Sequence, residues 1–116
     1  MTPHTNPLWI FLLVIALDLI FFSINQSFLQ KVLHDVQGKS AKVRWLGALI
    51  CYIALTVILY TFRGSYLRTF LLGTSIYAVY EGTNYAVFQA WPLKMVILDT
   101  LWGGTLFVLV KYLLKL

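Results

Sequence analysis

Apolar residues run along this chain in four long blocks, at 8–24, 45–62, 69–91 and 93–114, broken by short polar links. A helix that crosses a bilayer needs about 20 mostly apolar residues, with a range of roughly 17–25. In hydrocarbon every backbone polar group must be satisfied within the segment, so blocks of this kind are helices. The strands of an outer-membrane barrel alternate apolar and polar residues instead. Pro7 sits where a helix can start, and Pro92 stops the third block. The links "RGSYLR" and "WP" are so short that the blocks they join must be antiparallel neighbours. The pattern predicts an all-α, polytopic membrane protein with four antiparallel transmembrane helices in one domain, 1–116, without an internal repeat.

The link between the first two blocks is longer and has its own pattern. Over 27–37, Phe28, Leu29, Val32, Leu33 and Val36 share one helical face, with Gln30, Lys31, His34, Asp35 and Gln37 opposite. This predicts a short amphipathic helix in the headgroup plane. The alternative is a solvated helix docked on a partner.

Composition supports the membrane class. Of 116 residues, 60% are hydrophobic and 11% charged, against about 25% charged in a soluble domain. A soluble fold this small could not hide so much apolar surface. The net charge is +5, and the basic residues gather at block ends, which suits anionic lipid headgroups. No basic stripe interleaved with aromatics points to nucleic acid. Lys31, Lys39, Lys42, Arg44 and Lys94 flank one membrane face, and Arg63, Arg68, Lys111 and Lys115 the other. The bias leans toward the first and third links being cytoplasmic. The stretch "MTPHTNP" before the first block has no Lys or Arg, and no A-x-A-like site follows it, so the block is expected to be an uncleaved anchor. Trp9, Trp45 and Trp91 fall at block ends, as an aromatic belt would place them. Cys51 stands alone and reads as a small core hydrophobe.

The acids change the picture. Asp18, Glu81 and Asp99 lie inside apolar blocks; the remaining acid, Asp35, does not. A mid-span acid costs about 2.5–3.5 kcal/mol on insertion scales, whereas a central Leu or Ile returns only about 0.3–0.6 kcal/mol. Packing alone does not account for that choice. At 1.5 Å per residue, Asp18, Asn84 and Asp99 all lie roughly 10 Å below the same membrane face, with Glu81 at about 15 Å. Tyr52 falls at a similar level on the second block. Four helices are thus expected to bring Asp18, Tyr52, Glu81 with Asn84, and Asp99 to one layer.

Helical spacing puts Tyr77, Glu81, Asn84, Tyr85 and Phe88 on one face, and Asp99, Trp102 and Gly103 on another. Beside the first face, Ala78, Gly82 and Ala86 form a small-xxx-small ridge, for which Gly103 and Gly104 offer a groove. Gly82 and Gly103 are expected at the contact between the third and fourth helices. A proton can neutralise clustered carboxyls, with Asn84, Tyr52 or the Trp102 indole as hydrogen-bond partners. So can a hard cation, which prefers carboxylate and amide oxygen. Arg44 or Lys94 could dip down to pair with them. The only histidines, His4 and His34, lie outside the blocks, so a transition-metal site is disfavoured and no cofactor is expected. The competing reading is a satisfied polar network that holds the helices in register.

The segment "YAVYEGTNYAVFQAWPLKMVILDTLWGG", with "ALDLIFF" in the first block, resembles a widespread, mostly bacterial family of small membrane proteins known only as a domain of unknown function. The most specific part is Thr83–Asn84, then Trp91–Pro92, then Asp99, Trp102 and Gly103. The resemblance covers nearly the whole chain and implies four spans. It marks Asp18, Asn84, Asp99 and Trp102 as the family's polar set. The family commonly has Asp where this chain has Glu81, one methylene longer. The resemblance implies no activity; in a bacterium it implies the cytoplasmic membrane.

Three functions compete. The first is a structural or accessory membrane protein with lipids, copies of itself or other membrane subunits as partners. The second is a proton- or cation-linked transporter or channel, which needs an oligomer because four short helices enclose little space. The third, ranked below these, is an enzyme acting on lipid with paired carboxylates as acid and base. No Ser–His–Asp set, metal signature or phosphate loop accompanies the carboxylates, so the sequence leans away from an enzyme.

Overall fold

The computed structural model describes residues 6–39, 42 and 44–116; His4 lies outside them. Among these residues every regular element is a helix, with α1 Pro7–Ile24, α2 Gln26–Gln37, α3 Trp45–Thr61, α4 Tyr66–Val87 and α5 Leu93–Leu114. The ends follow local chemistry. Asn6 caps α1 by accepting from the Leu8 N–H at 2.9 Å, with Pro7 as the first helical residue. Asn25 alone separates α1 from α2, its amide nitrogen donating to the Phe21 carbonyl at 2.9 Å. Gly38 ends α2 in the left-handed region at φ 76°, where a side chain would be strained. Ser65 caps α4 by accepting from the Arg68 N–H at 3.1 Å.

The helix of the third apolar block is shifted toward the N-terminus relative to 69–91. The helix starts at Tyr66 and stops at Val87, leaving 88–92 as a turn. Pro92 disfavours helical backbone at Trp91, and the Trp91 N–H bonds back to the Phe88 carbonyl at 3.1 Å.

Two helices, α1 and α5, are long and apolar enough to cross a membrane. α3 is apolar but has only 17 residues. α4 has 22, diluted by Ser75, Glu81, Thr83 and Asn84.

α4 and α5 pack along each other, while α1 packs against both α3 and α5. The main core joins Ile10 and Val14 of α1, Leu55 and Leu59 of α3, and Leu106, Phe107 and Val110 of α5. A second, smaller core joins Val32 of α2 to Trp91 and Met95. The apolar face of α2 is therefore covered by the start of α5 and the turn before it. Its Lys31, His34 and Asp35 are exposed.

The α4–α5 contact depends on glycine, but not on the ridge expected from spacing. A Cβ on Gly73 would run into the backbone of Gly103, one on Gly103 into the Tyr77 ring, and one on Gly104 into Phe70 and Thr74. Gly82 is different: nothing lies within 4 Å of a Cβ built there. Ala78, Gly82 and Ala86 are all exposed, so this ridge faces away from α5. The reason is geometric. Burying Glu81 toward α5 turns the neighbouring Gly82 outward, because successive helical residues are about 100° apart.

Candidate functional site

Asp18, Glu81 and Asp99 are all buried, with relative exposures of 5%, 0% and 6%. They form two arrangements rather than one. Asp18 faces inward from α1 on the stripe of Ile10, Val14 and Phe21. Its Oδ2 accepts from the Tyr52 hydroxyl of α3 at 2.8 Å. Its Oδ1 accepts from the Trp102 indole N–H of α5, also at 2.8 Å. Three helices thus meet at one carboxyl group, each oxygen with its own donor. The Trp102 ring lies flat on Phe21, with centroids 4.7 Å apart and planes 6° from parallel. That stack orients the indole N–H toward Asp18.

Glu81 belongs to a separate arrangement at the α4–α5 hairpin. Its Oε1 accepts from the Trp91 indole N–H at 2.8 Å. Its Oε2 is buried and without a partner. The Asp99 carboxyl of α5 lies against that of Glu81, without closing a hydrogen bond of standard geometry. The two arrangements are neighbours, since Asp99 stands one turn before Trp102 on α5, and Trp102 donates to Asp18.

Trp91 departs from its expected role. Trp9 and Trp45 are 61% and 78% exposed, but Trp91 is 6% exposed. The turn at 88–92 folds its ring back under α2, where Val32 and Met95 pack on it. The chain signal was available, because a Trp beside a proline turn within reach of a buried Glu has a donor to offer. Its position at a block end concealed it.

Asn84 is half-buried one turn from Glu81 on α4, and its Nδ2 is buried without a partner. Thr100 Oγ1 is in the same condition. Among the described residues no basic side chain pairs with the acids, and neither Arg44 nor Lys94, which could have dipped down to them, does so. The Lys94 ammonium sits 4.6 Å from the Phe28 ring centroid, and Arg44 is exposed. Among the described residues no group of three or more His, Cys, Asp or Glu is placed to hold a metal. Cys51 is exposed rather than in the core.

Chemically, the Asp18 arrangement is a closed polar tie between helices. The Glu81–Asp99 arrangement is open, because Glu81 Oε2 is buried and no donor is bonded to it.

Residues 6–113 match the family model described as predicted membrane protein (DUF2177). No curated protein matches the chain, and no solved structure does.

Proposed function

The chain belongs to the DUF2177 family of predicted membrane proteins, and from that premise we propose that α1, α3, α4 and α5 all cross the bilayer, with α2 at one surface. α1 and α5 satisfy length and composition by themselves. The 17 residues of α3 reach about 25 Å and the 22 of α4 about 33 Å, which bracket the roughly 30 Å hydrocarbon core. The polar residues of α4 are tolerable in that setting because its acid turns inward to a donor.

Within that frame the protein is a structural or accessory subunit of a membrane assembly. The observation that carries this is Asp18, whose two oxygens are both engaged by donors from other helices. Such a network, with a donor on each oxygen, ties the register of three helices together. The outward ridge of α4 and the exposed Val79, Val87 and Ile24 leave contact surface for lipid or for another subunit. Affinity isolation from native membranes in mild detergent tests the role. A membrane partner recovered at fixed stoichiometry is expected. Recovery of the chain alone, together with proton or cation flux in liposomes, would overturn it. A second reading, proton- or cation-linked transport by an oligomer, is favoured by the one partnerless carboxyl oxygen on Glu81.

A further inference from the structure

We propose that Glu81 and Asp99 form a one-proton binding site, closed by Trp91 and α2, which the accessory role does not require. The argument starts from the oxygens. Glu81 is fully buried, and the Trp91 indole occupies its Oε1. Oε2 is therefore the atom left for Asp99, yet between two carboxylates neither side has a hydrogen to give. One proton removes the difficulty. Placed on Oε2 it turns that oxygen into a donor toward the Asp99 carboxylate, and the pair keeps a single negative charge. The proton comes from water and returns to water when the site opens; no other bond changes.

Among the described residues no cation pairs with these carboxyls, and the partnerless Asn84 amide and Thr100 hydroxyl are neutral. Asp18 is the charged group that α1 turns toward Asp99, and it is also acidic. α3 offers Tyr52, already committed to Asp18. α4 offers Tyr77 and Tyr80, which are neutral phenols. α2 covers this end with Val32, while its own charged residues point outward. A hard cation takes 6–8 oxygens at roughly 2.3–2.6 Å when it is calcium, and two carboxylates with one oxygen already bonded to an indole do not approach such a set. A buried carboxyl oxygen with no donor of its own, facing a second carboxyl, is satisfied when one hydrogen is shared between the two. Trp91 adds direction. By holding Oε1 it selects the oxygen that carries the hydrogen, and by packing under Val32 it excludes water from the pair.

Infrared spectroscopy of the full chain in lipid nanodiscs at neutral pH tests this directly through the C=O stretch of a protonated carboxyl. The wild type should show that band. Both Glu81→Gln and Asp99→Asn should lose one carboxyl's worth of it. Glu81→Gln keeps the fold, because its amide donates toward Asp99 where the proton did. Trp91→Phe should retain the band at a shifted frequency, since Oε1 loses its donor. Absence of the band in the wild type, or its survival unchanged in both Glu81→Gln and Asp99→Asn, overturns the site. An unshifted band in Trp91→Phe overturns the part given to Trp91. These readouts are independent of whether a partner subunit is found.

Discussion

The Trp91 indole donates to Glu81 Oε1 at 2.8 Å across the end of α4, so a residue in the hairpin turn holds a carboxyl in the last two turns of the preceding helix. Neither group has another partner for that bond. Trp91→Phe preserves most of the packing on Val32 and Met95 and removes only the donor. Leaving a buried acceptor unsatisfied costs about 1–3 kcal/mol. Denaturation in mixed micelles should report a loss of that size. The loss should shrink when Glu81→Met is already present, because that background has no acceptor for the indole. Equal losses in both backgrounds would show that the bond contributes nothing.

Asp18 makes a matching pair of tests. Tyr52→Phe and Trp102→Phe each remove one donor to the same carboxyl, and each should destabilise the fold by about 1–3 kcal/mol. Because the two donors share one acceptor, the double variant should deviate from the sum of the singles by 0.5 kcal/mol or more, as contacting residues usually do. Strict additivity would show that the two bonds act independently. Trp102→Phe retains a ring over Phe21, so the stacking is largely kept.

Glycine substitutions separate the two faces of α4. Gly103→Ala forces Tyr77 to move and should lower stability by about 1–3 kcal/mol, the usual cost of overpacking. Gly82→Leu points into open space and should leave the melting temperature of the isolated chain unchanged. A large loss at Gly82 would show a contact absent from the single chain, such as one with another subunit.

Much of this architecture was legible in the order of residues. The fourth apolar block, 93–114, coincides with α5, since Pro92 fixes one end and Lys115 lies just past the other. The first two blocks differ from α1 and α3 by one residue each. The inward direction of Asp18, Glu81 and Asp99 followed from the high cost of acids facing lipid. Two things were not legible. Spacing puts Ala78, Gly82 and Ala86 in a row but does not say which way the row points. That depends on how α4 rotates to bury Glu81, a tertiary choice. Depth along the membrane normal likewise put three acids in one layer, yet depth does not fix azimuth. Asp18 turns to Tyr52 and Trp102, while Glu81 turns to Trp91 and Asp99. Even the amphipathic pattern at 27–37 fixed a helix and its apolar face without fixing what the face covers.

Topology has its own test. With Cys51→Ser as background, single cysteines at Lys39→Cys and Arg68→Cys should react with an impermeant thiol reagent from opposite sides of sealed vesicles. Labelling of both from one side would contradict a crossing by α3.

The docking of α2 should show in hydrogen exchange. Val32→Glu replaces the one fully covered residue of its apolar face with a charge, which costs several kcal/mol if it stays buried. Backbone amides of 28–36 should then exchange faster, while those of α5 beyond Trp102 keep their protection. Unaltered exchange in α2 would mean that it is held by something other than the Val32–Trp91–Met95 core.

That second core also sets an order of events. Val32 is synthesised long before Trp91 and Met95, so during translation α2 exists with its apolar face bare. The membrane surface is the natural resting place for such a face until the hairpin arrives. In the proposed four-span topology, insertion of α4 and α5 brings Trp91 under α2, and the same contact covers Glu81. In that topology the burial of the acid waits for the hairpin, and it is completed by a helix made well before it.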